Sequence, residues 1–433
     1  MSNPILVKSE HLREEYYHLR HESGLEIYVF PKKLSTAYAA LTVRFGSLDN
    51  VIFSEEDGEF LVLPDGVAHF LEHKMFENED HVDTFDKFSA IGASANAYTS
   101  TDVTSYLFSA SQNLGEALKI LFDSVLHPYF TEKNVAKEQG IIAQEIKMYD
   151  DSPANRLYYA LLELLYETHG IRTNICGSCE SIAEITPELL MQCYRTFYRP
   201  DNMVLIVCGD VSFDDVTNAI EGALPETAPR APIVRKEPEE RRAIVKKHAE
   251  FSMDIARPKL SVGIKDTAIP ETPEARERRA LMLNLAADLY FGESSHFFDR
   301  LYRAGLITRD FDVGYESTRG CGHMLFSGAT DDTSRLLSEI LGEVDAIAAG
   351  KSPSKEDFER LLRVHYAEYI KSFDNTEAIA TALLDAVIDG VELFKTGEAL
   401  ASITLEELLT TARAFFQKDA LASVIINPTN GRK

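Results

Sequence analysis

The chain is 433 residues long, 45% hydrophobic and 26% charged, an ordinary globular composition with room for two to four domains. Its formal net charge of −25 argues against a nucleic-acid partner and against binding to an anionic membrane surface. The five cysteines, Cys176, Cys179, Cys193, Cys208 and Cys321, are odd in number and form no dense framework, so a reducing, cytoplasmic setting is expected.

The opening Met1-Ser2-Asn3-Pro4-Ile5 has neither the basic stretch nor the apolar run of a secretory signal. Glu26 to Phe30 and Ala37 to Phe45 predict strands, the second ending at Gly46. Pro64-Asp65-Gly66 then punctuates the chain, and Asp65 is expected to cap a helix carrying His69 to Phe76. A helix is expected over Thr84 to Ile91. The stretch Gly92 to Thr99 is rich in small residues, so another backbone can come close. With the strand expected at Val103 to Ala110, it fits a peptide bound by strand addition and equally fits an ordinary hairpin.

Leu114, Leu118, Leu121, Phe122 and Val125 recur at helical spacing and mark a buried face that Pro128 ends. A helix over Thr131 to Tyr149 follows, with Val135, Ile142 and Ile146 on its apolar side. Ser152 to Tyr198 reads as helical, through Leu157, Leu161, Leu164 and Leu165 and again after Thr186-Pro187. Met203 to Cys208 is too short an apolar run to cross a bilayer and reads as a buried strand. A helix over Asp214 to Leu224 closes this half.

Pro225, Pro229, Pro232 and Pro238 fall among charged residues and mark an extended polar connection. Beyond it, strands are expected near Leu260 to Ile264, Asp310 to Glu316 and Met324 to Ala329. Long helices are expected near Pro273 to Phe291, Thr333 to Ala349, Lys355 to Ser372 and Thr376 to Val387. Tyr194 to Asp201 resembles Ala412 to Asp419, and an apolar strand follows each, which suggests a duplication. The expected fold class is α+β, with two similar halves of helices packed on a mostly antiparallel sheet. The expected division is residues 1–228, a linker at 229–242, and residues 243–433.

The chemistry centres on His69-Phe70-Leu71-Glu72-His73. On a helix, a spacing of four places both imidazoles on one face, about 6 Å apart along the axis, with Glu72 beside them. Neutral imidazoles ligate zinc, and a neighbouring carboxylate can take a proton from water. The same pattern also fits two ordinary histidines on a helix. Two histidines leave a catalytic zinc site in need of a third protein ligand. Glu138 and Glu145, two turns apart, share a helix face, and a carboxylate from there would serve. Cys176-Gly177-Ser178-Cys179 has C-x-x-C spacing but no second pair, lies away from the motif in sequence, and reads as two incidental cysteines. The histidine motif occurs once, so one metal site per chain is expected.

Three segments carry a resemblance: Gly66 to Phe76, Gly92 to Ser100, and Lys137 to Ile146. Through them the chain resembles the insulinase–pitrilysin family of zinc metallopeptidases, and within it the half-sized bacterial YmfH-like members. The resemblance implies zinc held by His69, His73 and Glu145, with Glu138 as a supporting carboxylate and Glu72 as general base. It implies that Asn96 and Ala97 lie on an edge strand that meets the substrate backbone. It also implies a homodimer, or a heterodimer with a related chain, closing around a chamber that admits peptides or unfolded segments. In the family an arginine and a tyrosine flanking a Gly-Leu pair help orient substrate. Here Tyr302 stands at the arginine's place, Thr308 at the tyrosine's, and Arg303 one residue out of register. Tyr302 and Arg303 are therefore the candidate substrate contacts, with a partner subunit expected to supply the missing groups. The implied activity is that of a zinc-dependent endopeptidase. The alternative, a non-catalytic or partner-dependent subunit of a heterodimer, sits poorly with the retention of every zinc-site residue.

Overall fold

The structure is a computed structural model and describes residues 3–54, 58–224 and 231–429. Strands β1 (Ile5–Ser9), β2 (Glu14–Arg20), β3 (Glu26–Pro31) and β4 (Ala37–Val43) precede a short hairpin of β5 (Val51–Ser54) and β6 (Glu59–Val62). Helices α1 (Val67–Lys74) and α2 (Thr84–Ala90) follow, then strands β7 (Ala93–Thr99) and β8 (Thr104–Ala110). Three helices come next, α3 (Leu114–Leu126), α4 (Glu132–Asp150) and α5 (Pro153–Leu165). The remaining strands are β9 (Met203–Gly209), β10 (His248–Met253), β11 (Lys259–Lys265), β12 (Asp312–Thr318), β13 (Cys321–Ala329) and β14 (Leu421–Pro428).

These residues gather into two compact units whose chain segments interleave. One comprises Met1–Ile146, Asn174–Glu237 and Ile370–Asp389; the other comprises Lys147–Thr173, Pro238–Tyr369 and Gly390–Lys433. Helix α5, early in the chain, thus belongs to the second unit, and the late helix Thr376–Asp389 belongs to the first. Residues 225–230 of the expected connection, with Pro225 and Pro229, lie outside the described residues.

The first unit is built on a seven-stranded sheet in the order β1-β2-β3-β9-β4-β8-β7. Only β3 and β9 run parallel; the other neighbours are antiparallel. Every residue of β9 is buried, as its unbroken apolar run requires, so both faces of the sheet are covered there. The helix Thr376–Asp389 packs on β4 and β9. Strand β7 lies at one edge, and α1 packs against β7 and β8.

The second unit has a five-stranded sheet in the order β10-β14-β11-β13-β12. Again one pair, β10 and β14, is parallel and the others antiparallel. Strand for strand this repeats β3-β9-β4-β8-β7, with β1 and β2 as additions to the first sheet. The two halves are therefore similar in topology, and the fold is a duplicated α+β arrangement of helices on mostly antiparallel sheets.

Helix α5 shows how the second sheet is covered. Leu157, Leu161, Leu162, Leu164 and Leu165 are all buried, and α5 packs against β11 and β14. Gly263 on β11 makes the approach possible, because a Cβ there would stand 2.8 Å from Leu165 Cδ1 and 3.1 Å from Leu161 Cδ2. Beside this contact, Glu240 ties the chain after the polar connection to the second unit. Its carboxylate accepts from the amides of Glu167, Thr168 and His169 at 3.1, 2.7 and 2.9 Å and from Lys265 Nζ at 2.7 Å. Burial works against the charge, but Lys265 and the three amides win and bring the carboxyl down to about 2.

Leu161→Ala should destabilise the second unit by about 2–5 kcal/mol through lost transfer energy and a residual cavity. A urea midpoint that barely moves would contradict this packing. Glu240 is depressed below its ordinary 4.5 in the fold, so its stabilisation is present above that pH and fades as pH falls towards 2. Wild type should therefore be more stable than Glu240→Gln at pH 7, and the gap should shrink between pH 4.5 and 2. Equal stability at pH 7 would show that the clamp contributes nothing.

Candidate metal centre

The chain turns into α1 through Gly66, which sits at φ 90° and is the residue before the helix. Asp65 is not the cap expected of it. The left-handed turn carries it outside the capping position, and its carboxylate accepts from Asn50 Nδ2 at 3.2 Å instead. Val67, Ala68, Phe70 and Leu71 are buried and fix the helix, leaving His69, Glu72 and His73 on the face they share. The two imidazole rings lie 4.6 Å apart.

The opposing face comes from α4. Val135, Glu138, Ile142 and Ile146 are its buried residues. Gln139 Nε2 holds the helix in place by donating to the carbonyls of Ile182 and Ile185 at 3.2 and 3.0 Å. Two turns separate Glu138 from Glu145, and both reach the histidines. Glu145 Oε1 lies 3.8 Å from His69 Nε2, and its Oε2 lies 3.5 Å from His73 Nε2. His73 Nδ1 donates to Glu138 Oε1 at 3.0 Å, which turns Nε2 of that ring towards Glu145. Glu138 is itself supported by the wholly buried Lys74, at 3.9 Å, whose closer partner is Glu77 at 2.6 Å. Glu72 accepts from Thr99 Oγ1, at the end of β7, at 2.6 Å.

The surroundings set the protonation states. Burial, with the charge of His73 next, brings His69 down to about 3, so this imidazole stays neutral and free to ligate. Burial also pulls His73 down, but the hydrogen bond and charge of Glu138, with Glu72 and Glu145, raise it above its ordinary value. Burial raises the Glu72 carboxyl, and the Thr99 hydrogen bond partly opposes that.

Sequence reasoning missed Cys176. Its Sγ lies 3.9 Å from His69 Nε2, and His69, Glu145 and Cys176 each offer a donor atom within 4.8 Å of the other two. The reading of an incidental cysteine remote from the motif is therefore corrected: 107 residues of sequence separate it from His69, but the fold does not. Two glycines do this. A Cβ on Gly66 would meet the Cys176 carbonyl oxygen at 2.4 Å, and one on Gly177 would meet that of Asp65 at 2.3 Å, so these backbones can touch only without side chains. Burial, with Glu145 and Glu72 next, pushes the Cys176 thiol up to about 12. Cys176 and Cys179 are both unpaired thiols. Thr99 was the other residue with no assigned role; its place at the end of a small-residue strand was the one available signal.

These donors suit zinc. Nitrogen and oxygen ligands about 2.0–2.2 Å from one tetrahedral ion lie about 3.3–3.6 Å apart, and the two Glu145–histidine separations fall at or within a few tenths of an ångström of that range. Three carboxylates around two imidazoles also form a negative cluster that a divalent cation would offset. His69, His73 and Glu145 would hold the ion.

Asn96 and Ala97 lie on the edge strand β7, where Asn96 is exposed and its Oδ1 accepts from the Ala97 amide at 2.9 Å. Tyr302 and Arg303 belong to the second unit, on the helix His296–Arg303. Tyr302 is exposed and stacks on Phe298, while Arg303 pairs with Asp299 at 2.8 Å. Thr308 donates to Asp310.

A duplicated α+β fold with an H-x-x-E-H helix facing a helix of carboxylates defines the insulinase type of zinc-peptidase architecture. The chain belongs to the insulinase family, peptidase family M16. Residues 32–177 match the family's insulinase domain, and residues 184–364 match the domain described as the peptidase M16 inactive domain. The chain is 38% identical over 378 residues to the uncharacterized zinc protease YmfH of Bacillus subtilis, covering 86% of this chain and 87% of that one. Among solved structures, it resembles one described as an M16-like peptidase from Alicyclobacillus acidocaldarius. The TM-score is 0.91 at 29% identity, over 98% of this chain and 100% of the other. The periplasmic protease PqqL of Escherichia coli shares the fold, with a TM-score of 0.71 at 17% identity, over 98% of this chain and 48% of that one.

Glu145→Gln should weaken metal retention far more than Glu138→Gln, for which about 10–100-fold is expected from losing the orienting bond to His73. Zinc dissociation constants of the two variants decide this, and the reverse order would exchange the roles of the two carboxylates.

Proposed function

We propose that this protein is a zinc-dependent endopeptidase that hydrolyses peptides or unfolded segments, with one zinc per chain. The observation that carries the reading is the pair of imidazole Nε2 atoms facing opposite oxygens of Glu145, with Glu72 beside them. When bound, zinc supplies a Lewis acid and lowers the pKa of water to about 7.

The chain's own groups do the rest. Glu72 is the general base. Thr99 occupies Oε2 and leaves Oε1 to receive a proton from the attacking water. Burial favours the protonated carboxyl, which suits the return of that proton to the leaving amine. Glu138 keeps His73 turned towards the metal position. Among the described residues strand β7, with Asn96 and Ala97, has no neighbour on its outer side within its sheet, and it ends at Thr99, the partner of Glu72. An extended substrate added along that edge would run beside the site.

The substrate is a peptide, and neither nucleic acid nor a membrane is a partner. Among the described residues no helix is long and apolar enough to cross a membrane. The odd number of cysteines supports a cytoplasmic location. The likeness to half of PqqL supports pairing with a second chain, identical or related. A second reading, a subunit active only with its partner, is favoured by Tyr302 and Thr308 standing where an arginine and a tyrosine were expected.

Purified chain should hold about one zinc and cleave unstructured peptides until a chelator removes it. Glu72→Gln should keep the zinc and lose cleavage by at least about a hundredfold. A Glu72→Gln protein that still cleaves would remove Glu72 as base. Zinc without cleavage in wild type would support the partner-dependent reading.

A further inference from the structure

We propose that Cys176 is a fourth protein donor to the zinc and closes the resting site where water must bind. This rests on the zinc reading above and extends it. A catalytic zinc has three protein ligands and an open position, whereas four protein ligands make a closed site. Here the third and fourth candidates stand on the same side of His69.

Two observations carry the assignment. First, the donor distances suit a shared ion. With zinc–sulfur near 2.3 Å and zinc–nitrogen near 2.0 Å, a tetrahedral sulfur–nitrogen edge is about 3.5 Å. Cys176 Sγ lies 3.9 Å from His69 Nε2, and all three donors of His69, Glu145 and Cys176 fall within 4.8 Å of one another. Second, His69 is only 8% exposed, yet it is poorly satisfied by the protein. Its Nε2, the nitrogen that faces the cluster, has Glu145 Oε1 at 3.8 Å and only a long contact to the sulfur at 3.9 Å, neither a good hydrogen bond. A ligand lying between them would satisfy it.

The backbone holds the sulfur there. The Cys176 amide donates to Asn174 Oδ1 at 3.0 Å, and Ser181 Oγ donates to the Asp65 carbonyl at 2.8 Å. Together with the contact through Gly66 and Gly177, these fasten residues 174–181 to the start of α1. As the sulfur–zinc bond forms, the thiol proton leaves to solvent and no oxidation state changes. Hydrolysis then requires the sulfur to yield its position to water, so Cys176 holds turnover below that of an open site.

Cobalt(II) exchanged into wild type provides the test. The protein should show a thiolate-to-cobalt charge-transfer absorption, at about one cobalt per chain. Cys176→Ser should lose that absorption at equal cobalt content, and Cys179→Ser should keep it. With zinc, X-ray absorption should find one sulfur neighbour in wild type and none in Cys176→Ser. That variant should also release zinc at least about tenfold faster and cleave peptide faster. Stoichiometric cobalt without the sulfur absorption would overturn the proposal and leave the zinc reading standing. An absorption that survives in Cys176→Ser would overturn it too, because the sulfur would be another's. Failure of wild type to bind either metal would bring down both readings.

Discussion

The candidate site of the first unit depends on keeping three carboxylates close together in a poorly solvated place. Glu72 and Glu138 are buried, and Glu145 is largely covered. Unpaired, each such charge would cost several kcal/mol. The protein answers part of this itself: Thr99 donates to Glu72, and Lys74, wholly buried, stands by Glu138. His73 takes the other part of Glu138. Among the described residues Glu145 has no such partner nearer than the two imidazoles, which it faces at separations too long for good hydrogen bonds. The remaining charge is what a divalent cation would neutralise, and the crossing of α1 and α4 is the device that gathers it.

The site was legible where its residues share a helix. The four-residue spacing of His69 and His73 and the seven-residue spacing of Glu138 and Glu145 each define a face by local geometry alone. Which glutamate faces which imidazole nitrogen depends on how two helices cross, and only the resemblance assigned it. The expected Asp65 cap failed for a local reason, the left-handed turn at Gly66. Cys176 failed for a distant one. Its place beside His69 follows from Gly66 and Gly177 pressing two backbones together, and a glycine's packing partner leaves no periodic signal in sequence.

The fold was legible in proportion to burial. Strand β9, wholly buried, announces itself as an apolar run, and β11, almost wholly buried, by the alternation of Leu260, Val262 and Ile264. Strands β2 and β10 carry half-exposed patterns such as Glu14 to Arg20 and His248 to Met253, the first one strand in from a sheet edge and the second at one, where polar residues are tolerated. The exchange of helices between units was invisible for another reason. A helix's apolar stripe says that it packs, as Leu157 to Leu165 do, but not on which sheet.

The duplication separates what the metal does from what the fold needs. The second unit completes β10-β14-β11-β13-β12 with the pairing pattern of β3-β9-β4-β8-β7, yet the histidine motif occurs only in the first. A sheet of this topology thus forms without that motif, around buried apolar residues such as Leu260, Val262, Ile264, Met324 and Phe326. In small zinc domains the metal supplies the folding energy. Here the first unit has its own apolar core, including Val204 to Val207 on β9 and Leu41 and Val43 on β4. The donors are therefore additions to a self-sufficient scaffold. Their burial and charge make sense as chemistry held in place by the fold, not as part of what holds the fold together.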